Sequence, residues 1–156
     1  MSVAARETVD AAELRAAIEG VYTMAGWYDA TGVAYAPAAD GRWVLVDGVF
    51  VSLLLKREDD GSKQTIAMMG TFDIEDGAFT YGYDDGSYLI QRPDGAVDAP
   101  KVPFGERRRF AAIRDGSVIR LVWNDGAAEF RLGGLMVDYL EHGVVQRRWE
   151  RVRPAC

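Results

Sequence analysis

Residues 118–150 read VIRLVWNDGAAEFRLGGLMVDYLEHGVVQRRWE, and this stretch decides the fold. Short runs rich in Val, Leu, Phe, Tyr and Trp alternate with Asn124-Asp125-Gly126, Gly133-Gly134 and Glu141-His142-Gly143. Glycine adopts the positive φ that tight turns demand and aspartate tolerates it, so such punctuation between apolar runs predicts hairpins. The same signal extends outward. Asp-Gly occurs eight times, at Asp40, Asp47, Asp60, Asp76, Asp85, Asp94, Asp115 and Asp125. The patterning predicts strands over 20–28, 42–46, 49–56, 64–74, 78–91 (bent near Asp85-Gly86), 106–113, 117–124, 127–132, 135–141 and 144–152. Asp10-Ala-Ala-Glu13 has capping-box spacing, and Leu14, Ala17 and Ile18 share one face before Gly20, which predicts a short helix over Asp10–Glu19. Consecutive strands with mostly short turns predict an all-β, antiparallel up-and-down barrel, because closure removes sheet edges.

Bulk composition narrows the function. At 156 residues and 49% hydrophobic content, one globular domain spanning 1–156 is expected. A net charge of −6 argues against nucleic acid as a partner. No apolar run reaches the roughly 18 residues of a membrane span, and Met1–Asp10 lacks the pattern of a secretory signal. The single cysteine, Cys156, fits a reducing cytoplasm. With one His and one Cys, a zinc or haem site on those ligands is not expected, and no nucleotide, dinucleotide or G-x-S-x-G motif calls for a cofactor or a serine nucleophile. His142 belongs to a predicted turn. Glu58-Asp59-Asp60 and Asp84-Asp85 belong to loops and bends, without EF-hand spacing.

Strand parity organises the connections. The long links 29–41, 57–63 and 92–105 all fall at one end, with 125–126 and 142–143, while the opposite end holds tight turns and the helix. One open mouth above one plugged floor suits a small ligand. Facing follows from turn length, because side chains alternate along a strand. A two-residue turn at Asp125-Gly126 sets Trp123, Leu121 and Ile119 against Ala128, Phe130 and Leu132, all apolar and therefore inward. Continuing across Gly133-Gly134 turns Leu135, Val137 and Tyr139 inward. A three-residue loop at Glu141-His142-Gly143 turns Val145, Arg147 and Trp149 inward and buries the tryptophan. Turns at Asp76-Gly77 and Asp115-Gly116 add Gly70, Phe72, Ile74, Phe79, Tyr81, Tyr83, Arg108, Phe110 and Ala112. The run Arg107-Arg108-Arg109 therefore points to opposite sides and forms no basic patch.

Four segments carry a family resemblance: Ile18-Glu19-Gly20-Val21-Tyr22 after the helix, Gly70-Thr71-Phe72-Asp73-Ile74, Arg108-Arg109-Phe110, and Arg148-Trp149-Glu150-Arg151-Val152. Over residues 14–152 the chain resembles the bacterial lipocalin-like domain family. That family usually has Trp where this chain has Tyr22. The resemblance implies a barrel with an internal cavity and no single activity.

The predicted interior has an apolar base of Ile74, Phe72, Ile119, Leu132 and Phe130. Above it sits a collar of Tyr81, Tyr83, Arg108, Trp123, Tyr139, Arg147 and Trp149. An inward guanidinium is costly unless paired or solvated, and with a phenol beside it suits a carboxylate, phenolate or enolate oxygen. The expected partner is a small apolar or aromatic molecule with an acidic oxygen. The expected role is binding; the alternatives are a cofactor-independent isomerase, cyclase or lyase stabilising an enolate or phenolate, and a structural protein with a filled core. Internal ion pairs, or packing of each arginine over a tryptophan to close the barrel, would explain the arginines without a ligand. Strand 49–56 is apolar on both faces except Ser52 and Lys56, which predicts a homodimer packed on its outer face.

Overall fold

The computed structural model describes residues 7–35 and 39–153; Cys156 and residues 1–6 lie outside the described residues. The chain begins with helix α1 (Ala11–Ile18), capped by Asp10, whose carboxylate accepts from the Glu13 N–H at 2.8 Å. The strands are β1 (Gly20–Trp27), β2 (Asp40–Val46), β3 (Val49–Arg57), β4 (Lys63–Glu75), β5 (Ala78–Gln91), β6 (Val97–Asp98), β7 (Arg107–Asp115), β8 (Val118–Trp123), β9 (Ala128–Gly133), β10 (Met136–Glu141) and β11 (Val144–Arg151). All but β6 form a closed antiparallel barrel in sequence order, with β4 on β5 and β1 on β11. The two-residue β6 pairs only with the top of β5 and was hidden in the predicted 92–105 link. Two residues are too few for a periodic signal.

All three long links lie at one end and α1 at the other, as parity requires. The helix is the floor. Val9, Leu14 and Ile18 are fully buried in the core with Tyr22, Leu45, Phe72, Phe79 and Phe110. Polar contacts bolt it down: the Ala11 N–H donates to Asp76 at 2.8 Å, the Gly77 N–H to the Val9 carbonyl at 2.7 Å, and Arg114 pairs with Glu13. Arg151 donates to the Ala16 and Ala17 carbonyls, at 3.2 and 2.5 Å, where a cation complements the helix C-terminus. Tyr22 donates to the Ile18 carbonyl at 2.7 Å. Tyrosine at this position thus gives the floor a hydrogen bond to the end of the helix.

Two turns are shifted by one residue from expectation and one differs in length, yet the barrel face survives. The turns are Gly116-Ser117 and Gly134-Leu135, so Ala112 opposes Leu121 and Val137 opposes Leu132. Both are even slips, and a two-residue shift keeps every side chain on its face. Leu135 is in a turn rather than inside. At the last hairpin the turn is His142-Gly143, with φ of 48° and 79°, and Glu141 opposes Val144. A two-residue turn alone would point Arg148 inward. A bulge at Gln146 corrects this, so Tyr139 opposes Arg147 and Val137 opposes Trp149. Val145, predicted inward, opposes Leu140 on the other face.

A second irregularity, between Met69 and Gly70, leaves Asp84 unpaired where β4 and β5 bend. A Cβ on Gly70 would lie 1.8 Å from the Gly82 carbonyl oxygen, which is backbone and cannot swing away. Gly70→Ala should therefore lower unfolding free energy by ~1–3 kcal/mol in denaturant titrations. An unchanged midpoint would show that β4 and β5 approach less closely than this.

Candidate functional site

The upper barrel holds a cavity of about 270 Å³, lined mainly by aromatic and charged side chains. Its base is not the one predicted. Phe72, Ile119 and Leu132 are buried and Ile74 packs against that core, which the helix side chains fill from below. The cavity starts one layer higher, on Trp43, Phe50, Phe130 and Trp149. Trp43 stacks on Phe130 and on Trp149, each at 5.7 Å between centroids, and Phe50 packs on Tyr81 and Tyr83 at 5.0 and 5.2 Å. Offset aromatic packing of this kind makes a rigid apolar shelf.

Six of the seven predicted residues line this space: Tyr81, Tyr83, Arg108, Tyr139, Arg147 and Trp149. The seventh, Trp123, stands behind it with its ring 4.5 Å from the Arg108 guanidinium carbon. Arg147 lies over Trp27 and Tyr139 at 5.1 and 5.7 Å. Sequence reasoning did not assign Trp43, Phe50, Ser52, Glu106 or Glu141 to the site. Ser52 did carry a signal, as a hydroxyl on the inward face of an otherwise apolar strand. The 102–106 segment reaches the cavity because the Gly105 N–H donates to the Tyr83 carbonyl at 2.9 Å. Gly82 permits this approach: a Cβ there would sit 2.3 Å from the Glu106 carbonyl oxygen.

The charges divide by face. Outward arginines find acids: Arg107 with Asp73 at 2.8 Å, Arg109 with Glu75 at 3.7 Å, Arg148 with Asp138 at 2.7 Å. Their inward neighbours do not. Among the described residues no carboxylate oxygen lies within 4.0 Å of Arg108 or Arg147, and the buried Arg147 Nε has no hydrogen-bond partner. Of the two ligand-free accounts, internal ion pairs are missing among the described residues, whereas packing over a tryptophan is present, Arg108 on Trp123 and Arg147 on Trp27. Stacking over an aromatic face is worth roughly 0.5–2 kcal/mol and supplies no acceptor for an N–H.

The phenols stay protonated at neutral pH. Burial raises Tyr81 and Tyr83, against the opposing pull of the arginine charges. Tyr139 is pushed up to about 12 by burial and then by Glu141, to which its hydroxyl donates at 3.0 Å. The cavity thus presents guanidinium and hydroxyl donors above an aromatic shelf. Lys56, the other polar residue of β3, is inward and buried at the rim, 2.8 Å from Glu58 and 3.7 Å from the centre of the Tyr35 ring. His142 sits in its turn, away from the lining.

An unpartnered buried donor carries a cost that a ligand-free core need not bear. Arg147→Met keeps most of the volume and removes that donor. In the absence of ligand it should raise stability by ~1 kcal/mol, a melting temperature higher by roughly 2–4 °C. A clear loss of stability would instead mean that Arg147 has an internal partner.

No protein-family model, curated protein or solved structure matches this chain, so the site is interpreted from its own chemistry.

Proposed function

We propose that the barrel binds a small aromatic or apolar molecule carrying an acidic oxygen, anionic or phenolic. The observation that carries this reading is a cavity lined by Arg147 and Arg108, neither with an acidic partner among the described residues, and by three protonated phenols; the Arg147 Nε, buried behind the lining, also lacks a protein acceptor. An acidic oxygen would satisfy these donors through charge-assisted hydrogen bonds. Size supports it. A void of ~150 Å³ takes up benzene, so about 270 Å³ leaves room for a ring and a short acidic arm. A structural protein with a filled core would leave less than roughly 100 Å³. Kinship with the bacterial lipocalin-like domains and a cytoplasmic location belong to the same proposal. They are supported by the short shared segments and by the single cysteine.

Mass spectrometry of compounds that co-purify with the protein tests the class, and a ligand without an acidic oxygen contradicts it. Charge recognition is tested with cinnamate and its neutral amide. Arg108→Met or Arg147→Met should weaken cinnamate ten- to a hundredfold, from ~1.5–3 kcal/mol per charge-assisted bond, and leave the amide unchanged or tighter. Equal losses for both ligands contradict the reading.

We further propose that the protein pairs with a second copy through the outer face of β1–β4. Val49, Leu53 and Met69 there are 44, 47 and 52% exposed, beside Val21 and Val46. Adjoining strands place Val46 opposite Val49 and Val51 opposite Met69, which makes the patch continuous. Sedimentation at micromolar concentration should give twice the 17.2 kDa chain mass. Leu53→Lys should return it to a monomer. A monomeric wild type contradicts the pairing.

A further inference from the structure

Two exposed acidic residues line the cavity beside its cations. Glu141 and Glu106 both line it, and Glu141 accepts from Tyr139 at 3.0 Å. Neither glutamate has an oxygen within 4.0 Å of the guanidinium nitrogens of Arg108 or Arg147, so neither forms an ion pair with the collar. For a pocket that only binds an acid, a carboxylate facing the ligand is a penalty, because like charges repel. A carboxylate base sharing a cavity with oxyanion donors is instead the arrangement that moves a proton from carbon.

We infer that the site enolises aromatic 2-oxo acids, with Glu141 as the base, Arg147 and the phenols on the enolate oxygen, and Arg108 on the carboxylate. This rests on the acid-binding reading of the same cavity. It accounts for two separate unpaired arginines, since the substrate carries one anionic oxygen pair and develops a second negative oxygen during reaction. The ring lies on the Trp43–Phe130–Trp149 shelf. Arg108, held 4.5 Å from Trp123, fixes the carboxylate end.

The step balances without a co-reactant. The bond from C3 to hydrogen breaks and its proton passes to the Glu141 carboxylate. The electron pair forms the C2–C3 double bond, and the carbonyl π electrons move to the C2 oxygen, which takes a hydrogen bond from the Arg147 guanidinium. Protonated Glu141 returns a proton to carbon, or, through the Tyr139 hydroxyl, to the oxygen, which releases the enol. Glu141 is exposed at the mouth, so its proton exchanges with solvent and the carbon acquires solvent hydrogen. Tyr139, kept protonated by burial and by Glu141, serves as a hydrogen-bonding and relay group at neutral pH.

The test uses phenylpyruvate in deuterated buffer at neutral pH. Loss of the C3 proton signal is followed by NMR and binding is measured in parallel by calorimetry. Wild-type protein should exchange C3 well above the buffer rate. Glu141→Gln preserves size and an acceptor for Tyr139. It should bind phenylpyruvate as tightly or more tightly, and exchange it ~10²–10⁴-fold more slowly, the usual worth of a positioned base. Arg147→Met should lower both binding and exchange. Binding by the wild type with exchange at the buffer rate overturns the inference and leaves the binding reading standing. Exchange by Glu141→Gln at the wild-type rate also overturns it. Failure of the wild type to bind phenylpyruvate overturns the inference, and the acid-binding reading then stands or falls with the cinnamate comparison.

Discussion

Closure of β1 onto β11 is the constraint from which the rest follows. Once ten strands form a ring, every inward side chain must be packed, paired or left facing a cavity. An eight-strand ring is about as wide as its side chains can fill, and ten strands enclose more. The lower half is completed from outside the sheet, by Val9, Leu14 and Ile18 of the N-terminal segment. Among the described residues nothing equivalent fills the upper half. The long links gather there, and the segment ending at Glu106 covers the opening only in part. The cavity is thus a consequence of strand number and of a plug at one end only.

Within that geometry the arginines distinguish packing from function. Arg107, Arg109 and Arg148 show what the chain does with a cation it only needs to solvate: each meets an acid on the outer surface. The outer face even holds a nearly buried Glu129 between Arg120 and Arg131 at 2.6 and 2.9 Å. Burial alone would raise that carboxyl, but hydrogen bonds from both guanidiniums hold it below the usual range. Among the described residues these exterior arginines meet acids and the two interior ones do not. Strain or unpaired polarity retained inside an otherwise consistent fold is where ligand chemistry is to be sought.

Much of this was legible because strand faces are robust to error. Two of the predicted turns were misplaced by one residue, and each error slid the register by two, so Arg108, Tyr139 and their neighbours kept their facing. The last hairpin was correct for a different reason: the predicted three-residue loop and the observed two-residue turn plus the Gln146 bulge give Arg147 and Trp149 the same face, though not Val145. A bulge away from glycine has no local composition to announce it. The depth of the cavity was not legible either. It depends on how far the helix side chains reach into the barrel, which is a matter of tertiary packing. Glu141 was assigned to a loop, and only the turn at His142-Gly143 shows that it is the last inward residue of β10. Asp40-Gly41 and Asp85-Gly86 look like turns in sequence but lie within strands. Gly86 is there because a Cβ would meet the Ala67 carbonyl at 2.2 Å.

The Arg147 guanidinium lines the cavity without an acid among the described residues, and its Nε–H reports on whether a ligand supplies one. Proton–nitrogen NMR of the arginine side chains reads this atom directly, with its resonance assigned by its loss in Arg147→Lys. On titration with cinnamate the Arg147 Nε–H signal should move downfield and exchange more slowly with water, while the neutral amide leaves it in place. A signal that already has the shift and protection of a bonded donor without ligand, or one that ignores cinnamate while the protein binds it, would contradict the account.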